Sequence, residues 1–257
     1  MEKYKKAPVL FVGHGSPMVA IEDSPARAGM WNMGKRLDPP RAILVMSAHW
    51  MTEGLKIRTA ADNPKIDDMY GFPMALYEVR YNPPADPALA EKILRHLGGE
   101  AEVDNSWGMD HGAWTVLCNM FPEADVPVIM MSTPINYPPA KMISLGRRLR
   151  KFVDQGVMFL ASGNVVHNLN LVKRRMAGKG EDWAVEFDTY VKNAVVKGDE
   201  AKLLAASDHP DFLKAVYTTD HFWPLYTAFG AGTGRPVKVW NHSFDMGALS
   251  MTSYLFK

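Results

Sequence analysis

Three apolar runs, each followed by a histidine, constrain the fold of this chain more than any other feature of its sequence. Each run is continuously apolar, as are strands that are covered on both faces of a sheet. The runs begin at Val9, Ala42 and Val157. His14 and His49 stand where the first two strands are predicted to end, and His167 follows the third a few residues later. Because the carboxyl ends of parallel strands meet at one edge of a sheet, we expect these imidazoles to converge there.

Helical segments alternate with the strands along the whole chain. Amphipathic patterns and terminating Gly or Pro residues predict helices over Ile21–Leu37, Asp86–Leu97, Pro138–Asp154 and Asp182–Ala206, the last with a break near Gly198-Asp199. Neither a repeat nor a linker interrupts the alternation. The pattern predicts an α/β fold in which residues 1–257 form a single three-layer α/β/α domain. We expect its central sheet to be mostly parallel or mixed, with a metal site at the carboxyl ends of the strands.

The composition excludes several classes of function. The formal net charge is +1, which offers no electrostatic attraction to nucleic acid or to an anionic membrane. The chain contains one cysteine, Cys118, which we interpret as a small buried hydrophobe rather than a reactive thiol. No apolar stretch reaches the roughly 18 residues that span a bilayer, and no signal peptide is visible. We therefore expect a cytoplasmic protein without membrane or nucleic-acid partners, present as a monomer or small homo-oligomer.

Residues 63–84 form an irregular segment that is rich in proline and aromatic residues. It is consistent with a lid over a pocket, or with a loop whose rings pin it to the surface. The tryptophans at positions 50, 107, 114 and 223 and Phe72 are candidates for lining a pocket for an aromatic ring, although each one also suits a hydrophobic core.

The eight histidines divide into structural and functional candidates. His96 lies near the end of a predicted helix, and His209 suits a cap or the surface, so neither is expected at a site. His242 follows a closing strand and is a further candidate to reach the pocket. The functional candidates are His14, His49, His111, His167 and His221. Clustered neutral imidazoles suit Zn, Fe, Cu or Ni, but neither HExxH nor CxxC spacing occurs, so distant segments have to assemble any metal site.

Five short motifs occur in an order that resembles a known family. They are Gly13-His-Gly-Ser-Pro17, Ser47-Ala-His-Trp50, Asp110-His-Gly112, Ser162-Gly-Asn164 with His167-Asn168, and Asp220-His-Phe-Trp-Pro-Leu225. Together they resemble the DODA-type, 4,5-DOPA dioxygenase-like branch of the class III (LigB-like) extradiol aromatic ring-opening dioxygenases. The resemblance covers nearly the whole chain.

The resemblance implies a metal site and two catalytic histidines. His14, His49 and His221 match the metal ligands of the family. The wider LigB-like group has a glutamate at the third place, so the histidine at position 221 makes the site friendlier to Zn(II). His167 matches a position that serves as active-site base or completes the metal shell. His111 matches a second active-site histidine that contacts the substrate hydroxyl or bound oxygen.

The function that the resemblance implies is opening of a DOPA-like catechol by O₂ at Fe(II), with Zn(II) as a metal that the purified protein can also carry. A histidine with a pKa near 7 suits removal of a catechol proton. Two alternatives remain open. One is a zinc-dependent hydrolase or other zinc enzyme on the same scaffold, and the other is a non-catalytic protein that binds a metal or ligand. Ser16 lacks the GxSxG context of a serine hydrolase.

Overall fold

The computed structural model describes residues 5–257, and its centre is an eight-stranded mixed sheet. The order of the sheet is β4-β3-β5-β2-β6-β1-β10-β7, and a separate β8-β9 pair lies beside it. The strands are β1 Val9–Gly13, β2 Ala42–Thr52, β3 Leu55–Ile57, β4 Ala101–Val103, β5 Val128–Pro134, β6 Val157–Gly163, β7 Val237–Trp240, β8 Phe244–Asp245, β9 Leu249–Ser250 and β10 Ser253–Phe256.

The helices cover both faces of the sheet, which confirms the predicted three-layer α/β architecture. They are α1 Pro25–Gly34, α2 Met74–Tyr77, α3 Pro87–Leu97, α4 His111–Met120, α5 Pro139–Val153, α6 Asp182–Lys197, α7 Glu200–Leu204, α8 Phe212–Ala215 and α9 Trp223–Ala231. In the part of the chain that the structure describes, none of these helices is both long enough and apolar enough to cross a bilayer.

The four central strands run parallel, and antiparallel strands flank them. β1 and β2 both pair in parallel with β6, and β2 also pairs in parallel with β5. β10 pairs antiparallel with β1, and β3 pairs antiparallel with β5. The carboxyl ends of β1, β2 and β6 therefore lie side by side at one edge of the sheet.

Each central strand is buried on both faces because its apolar side chains alternate between two cores. In β1, Val9 and Phe11 belong to the core that also contains residues of α3, α5, α6 and α9, whereas Leu10 and Val12 belong to the core that contains residues of α1 and α4. All four side chains have no exposed surface. Burial on both faces explains why the strand sequences are continuously apolar and do not alternate.

The helix predicted over Ile21–Leu37 is shorter in the structure, where α1 spans Pro25–Gly34. Ser24 caps it by accepting a hydrogen bond from the backbone N–H of Arg27, and Pro25 occupies the first turn. The preceding residues instead form a 3₁₀ helix, Pro17–Ala20. The sequence Ser24-Pro25 is the local signal that α1 begins later than predicted.

β2 does not end on His49, as the sequence analysis expected, but continues to Thr52. Its pairing with β5 shifts register between Met46 and Met51. The irregularity contains Ser47 and His49, so the strand bends where it carries these side chains. An irregularity of this kind redirects a side chain within a strand, which is what a site at the sheet edge requires.

Candidate metal centre

His14, His49 and His221 come together at the carboxyl edge of the sheet. One ring nitrogen from each lies within 4.8 Å of the other two. His14 directly follows β1, His49 lies in the irregular part of β2, and His221 precedes α9. Nε2 of His14 and Nε2 of His49 are 3.1 Å apart. Three distant segments therefore direct nitrogen atoms at one small volume. The strand pattern had predicted convergence of His14, His49 and His167, whereas His221 was a candidate ligand through the family resemblance.

The contacts of His14 determine which of its ring nitrogens carries the proton. The hydroxyl of Ser162 donates its single hydrogen to the carbonyl oxygen of Gly112, at 2.5 Å. Ser162 Oγ also lies 3.0 Å from His14 Nδ1 and must accept in that contact. His14 therefore carries its proton on Nδ1, and the lone pair on Nε2 faces His49. A metal-ligating histidine is commonly held in this way by its other ring nitrogen.

His221 is buried with both ring nitrogens lacking a hydrogen-bond partner among residues 5–257. Its Nδ1 lies 3.0 Å from a carboxylate oxygen of Asp220, but outside hydrogen-bonding geometry. Buried polar atoms are rarely left without a partner. The unpartnered nitrogens of His221, next to those of His14 and His49, are the feature of this site that a metal ion would satisfy.

A close backbone contact holds His221 in place. The backbone N–H of Asn164 donates to the carbonyl oxygen of His221, at 2.9 Å. At Gly163, the last residue of β6, an added Cβ would lie only 2.1 Å from the same oxygen. The glycine in the Ser162-Gly-Asn164 motif is therefore required so that the segment carrying His221 can pack against the strand.

Burial keeps the three clustered histidines uncharged. It lowers the pKa of His14 and of His221 well below the ordinary value, and the neighbouring imidazoles act in the same direction. The pKa of His49 falls to about 3, mainly because its ring is buried and secondarily because His111 lies close to it. Neutral imidazoles offer lone pairs to a metal, so the cluster is in its metal-binding protonation state at neutral pH.

His111 is the first residue of α4, and Asp68 holds it at two points. One carboxylate oxygen of Asp68 accepts the backbone N–H of His111 at 2.8 Å, and the other lies 2.9 Å from Nδ1 of its ring. Burial alone raises the pKa of the Asp68 carboxyl, but the hydrogen bonds and charge of His111 outweigh it and bring the pKa below its ordinary value. His49, Asp68 and His111 form a second close group of potential ligand atoms.

His167 lies beside the three-histidine group but is not a member of it. Its ring stacks on that of His221, with centroids 3.5 Å apart and planes 6° from parallel. Burial lowers the pKa of His167 to about 4, although the carboxylate of Asp220 acts in the opposite direction. His167 is therefore neutral at neutral pH and keeps a free lone pair, but it is a weaker base than a histidine whose pKa is near 7.

Asp110 joins β2 to α4 behind the site. It caps α4 and accepts hydrogen bonds from Ser47 Oγ at 2.6 Å and from Trp107 Nε1 at 3.0 Å. Burial, assisted by the charge of Asp68, raises the pKa of Asp110 to about 6. Asp68 therefore orients a histidine, and Asp110 caps a helix.

A cavity of about 730 Å³ lies over the histidines. All five histidines that the sequence singled out line it, together with Met69, Tyr70 and Phe72 from the irregular segment. Residues that sequence reasoning missed complete its wall: Leu169, Asn170, Tyr217, Thr218, Met246 and Leu249. They come from loops, a 3₁₀ helix and the short strand β9, none of which carries a motif at these positions, so only the folded structure identifies them.

Several aromatic candidates lie elsewhere. Trp50 and Trp114 are buried in the core, and of the five proposed pocket aromatics only Phe72 lines the cavity. Tyr81 is also buried and donates to the carbonyl of Phe121. Tyr70 is 92% exposed at the rim of the cavity.

Three histidines do not line the cavity, two of them as expected. His96 Nε2 donates to the carbonyl of Arg148, and His209 Nδ1 accepts the backbone N–H of Asp211. His242 contacts Thr252 Oγ1 at 3.0 Å and lies 3.4 Å from Asp188, outside the cavity. The suggestion that His242 reaches the pocket is wrong, because the turn after β7 directs it towards α6.

Known proteins resemble this chain over nearly its whole length. Residues 8–257 match the family model described as the catalytic LigB subunit of aromatic ring-opening dioxygenase. The chain is 39% identical to the 4,5-DOPA dioxygenase extradiol of Escherichia coli (strain K12), an alignment that covers 96% of this chain and 94% of that protein. It is 34% identical to the protein of the same name from Beta vulgaris, over 96% of this chain and 95% of that one.

A solved structure has the same fold. The crystal structure of an uncharacterized protein from Escherichia coli K12 matches with a TM-score of 0.84 and 33% sequence identity, covering 98% of this chain and all of that one. The family predicted from the five sequence motifs is therefore confirmed. The chain belongs to the LigB family of extradiol aromatic ring-opening dioxygenases.

Proposed function

We propose that this protein opens the ring of a catechol-type, DOPA-like substrate with O₂ at a non-haem Fe(II) held by His14, His49 and His221. Residues 1–257 then act as one catalytic domain. The observation that carries the proposal is the convergence of three histidine nitrogens within 4.8 Å of one another beneath a cavity of about 730 Å³. The names of the two relatives, 4,5-DOPA dioxygenase extradiol, support the choice of substrate class.

The residues fit a divalent metal ion. The Nε2 lone pair of His14 and the unpartnered nitrogens of His221 are buried, and the lowered pKa values keep the rings neutral. Imidazole donors suit both Fe(II) and Zn(II). A bound Fe(II) supplies the electron transfer that O₂ needs to react with a catecholate, which Zn(II), having no accessible second oxidation state, does not supply.

His167 and His111 handle the protons of the reaction. A catechol reacts after it has lost a proton, and His167 is neutral and lines the cavity, so it accepts that proton. His111 is oriented by Asp68 through its Nδ1 and lines the same cavity, so it provides a second group for proton transfer. The ring bond beside the two hydroxyls breaks, and both atoms of O₂ enter the muconate semialdehyde, so no external reductant is consumed.

The competing function is hydrolysis at Zn(II). One observation favours it: the three-histidine donor set contains no carboxylate and therefore suits zinc as well as iron. In that case a metal-activated water attacks the substrate. Membership of a ring-opening dioxygenase family favours the oxygen-dependent reaction.

Anaerobic loading with Fe(II), followed by air and a panel of catechols that includes DOPA, tests the proposal. We expect uptake of one O₂ per ring opened and the appearance of a yellow semialdehyde. His14→Ala abolishes both, whereas the matched control His96→Ala, at a histidine away from the site, retains them. Absence of colour and of O₂ uptake with every catechol, together with tightly bound zinc, would favour the zinc enzyme.

A further inference from the structure

Asn164 is the first residue after β6, and its side chain has no part in the function proposed above. It completes the Ser162-Gly-Asn164 motif, in which Ser162 fixes the proton of His14 and Gly163 lets the segment of His221 pack closely. Asn164 has no exposed surface and lies behind the cavity rather than in its wall. A buried amide needs hydrogen-bond partners, and those partners show which segments it connects.

Asn164 makes hydrogen bonds to three separate segments. Its backbone N–H donates to the carbonyl oxygen of His221 at 2.9 Å. Its Oδ1 accepts the backbone N–H of Gly15 at 3.4 Å, and its Nδ2 donates to the carbonyl oxygen of Ser250 at 2.7 Å. Gly15 directly follows His14 in the chain. One buried residue therefore connects the segments that carry two of the three proposed metal ligands.

The two contacts of the Asn164 side chain require a group that donates at one end and accepts at the other. The carbonyl oxygen of Ser250 can only accept, and the backbone N–H of Gly15 can only donate. These partners also fix the orientation of the amide, with Nδ2 towards Ser250 and Oδ1 towards Gly15. An ionised aspartate accepts but does not donate, and an apolar side chain does neither. The chemistry of the amide, and not its size alone, therefore explains the residue at this position.

The contact with Gly15 holds the turn that follows His14. Gly15 has a left-handed backbone conformation, with φ of 63°. The backbone N–H of His14 donates to the carbonyl oxygen of Gly163 at 3.2 Å, and the ring of His14 contacts Ser162 Oγ at 3.0 Å. Three consecutive residues at the end of β6 thus hold the ring, the backbone and the following turn of His14.

The contact with Ser250 has a fixed position of its own. Ser250 lies in β9, and its backbone N–H donates to the carbonyl oxygen of Val166 at 3.0 Å. Its hydroxyl donates to Oδ1 of Asp188, a fully buried residue of α6, at 2.6 Å. The carbonyl that accepts from Asn164 is therefore anchored to β9 and α6, and the amide transmits its position to both ligand-bearing segments.

We propose that the side chain of Asn164 is a positioning residue of the metal site, which fixes the segments of His14 and His221 relative to each other. The proposal rests on the proposed function in that it takes these two histidines as metal ligands. Holding the segments before the ion binds reduces the ordering that binding would otherwise require. Without the amide, the backbone contact with His221 remains, but the turn after His14 loses its link to it.

The metal affinity of Asn164→Ala tests the proposal without any oxygen chemistry. We expect its affinity for Zn(II), measured on the chelator-treated full chain by competition with a chelating indicator, to fall about 10- to 100-fold. The matched control is Asn119→Ala. Asn119 is also a buried asparagine that connects separate segments, since it accepts from Arg27 and donates to the carbonyl oxygen of Val19. Both variants lose buried hydrogen bonds, but only Asn164→Ala loses metal affinity.

Loading with Co(II) gives a readout that a purely structural role would not move. The visible spectrum of bound Co(II) depends on the arrangement of its ligands, so it changes in Asn164→Ala at saturating Co(II) and stays that of the wild type in Asn119→Ala. Ser250→Ala is a second variant, which keeps Asn164 and removes the contacts of the Ser250 hydroxyl with Asp188 and Thr252. Its affinity for Zn(II) falls in the same direction by a smaller factor.

The outcomes separate this inference from the proposed function. Wild-type affinity and spectrum in Asn164→Ala overturn the positioning role and leave the proposed function standing, as do equal losses of affinity in Asn164→Ala and Asn119→Ala. If Asn164→Ala does not fold, an unchanged affinity in Ser250→Ala overturns the positioning role. Failure of the Fe(II)-loaded wild type to open any catechol, with the specific loss of affinity in Asn164→Ala retained, overturns the proposed function and supports the positioning role.

Discussion

The imidazole of His167 lies flat against that of His221, with ring centroids 3.5 Å apart and planes 6° from parallel. A ring stacked in this way covers the face of its neighbour and leaves the edge nitrogens of that neighbour free. His221 therefore keeps its nitrogens for the group formed with His14 and His49, and His167 stands outside that group. Of the two roles that the sequence analysis considered for His167, active-site base and further metal ligand, the arrangement favours the base.

We predict that His167→Ala retains its metal and loses ring opening. Loss of a general base lowers kcat about 10²- to 10⁴-fold, whereas the three proposed ligands stay in place. Metal analysis and steady-state kinetics on the same Fe(II)-loaded sample provide the measurement. His167→Asn preserves more of the packing against His221, and we expect it to retain metal and lose activity as His167→Ala does. A parallel fall in metal content and activity in both variants would assign His167 to the metal shell.

The arrangement of elements could be predicted because strong local patterns specify it. The apolar runs of β1, β2 and β6 are continuous because both faces are buried, and glycine follows the last residue of α3, α6 and α9. Elements that depend on pairing between distant segments were less predictable. The bend in β2 around His49 arises from its register with β5, and no local propensity marks it.

Asp68→Asn tests the role of Asp68 as a residue that positions His111. The amide retains an acceptor for the backbone N–H of His111 but removes the charge that its ring contacts at 2.9 Å. We expect kcat to fall about 10- to 100-fold with metal content retained. Asp67→Asn is the matched control, because Asp67 is the adjacent residue and pairs with Lys65 instead. Full activity in Asp68→Asn would remove the positioning role.

Ser162→Ala is predicted to weaken metal binding without removing a proposed ligand. The hydroxyl of Ser162 fixes the proton of His14 on Nδ1, and its loss allows the ring to turn or change tautomer. Loss of such a supporting contact costs about 10- to 100-fold in metal affinity. The control is Ser132→Ala, a buried serine of β5 that contacts Thr52 and Lys56. Competition with a chelating indicator measures both, and equal affinities would contradict the prediction.

The candidate ligands could be predicted from the sequence, but most of their surroundings could not. His14 and His167 follow recognisable strands and His49 lies within another, whereas the roles of His111 and His221 came from the resemblance of short motifs. The wall of the cavity over the histidines depends on residues such as Tyr217 and Met246, which are far apart in sequence and lie outside any motif. Such contacts arise when loops fold over the sheet edge, so no periodic pattern of apolar residues in the sequence predicts them.

The metal-free protein is predicted to lose stability as the pH falls below about 6.5. Folding lowers the pKa of His49 to about 3 and that of His167 to about 4, from an ordinary value of 6.5. Between these values the unfolded chain binds protons that the folded chain does not, so the free energy of unfolding decreases with decreasing pH. His167 alone contributes about 3 kcal/mol to this decrease when fully titrated.

Asp110 opposes the histidines, because its raised pKa of about 6 makes the folded chain bind a proton before the unfolded one does. His14, His49, His167 and His221 all act in the other direction, so their combined effect dominates over Asp110 between pH 6 and pH 4. Denaturant unfolding of the chelator-treated protein across this range measures the slope. His167→Asn removes one titrating group and makes the slope shallower, whereas His96→Asn leaves the contribution of the site intact. If the free energy of unfolding instead rose as the pH was lowered from 6.5 to 4, the prediction would be wrong. The folded site would then accommodate charged imidazoles despite its burial and the repulsion among the rings.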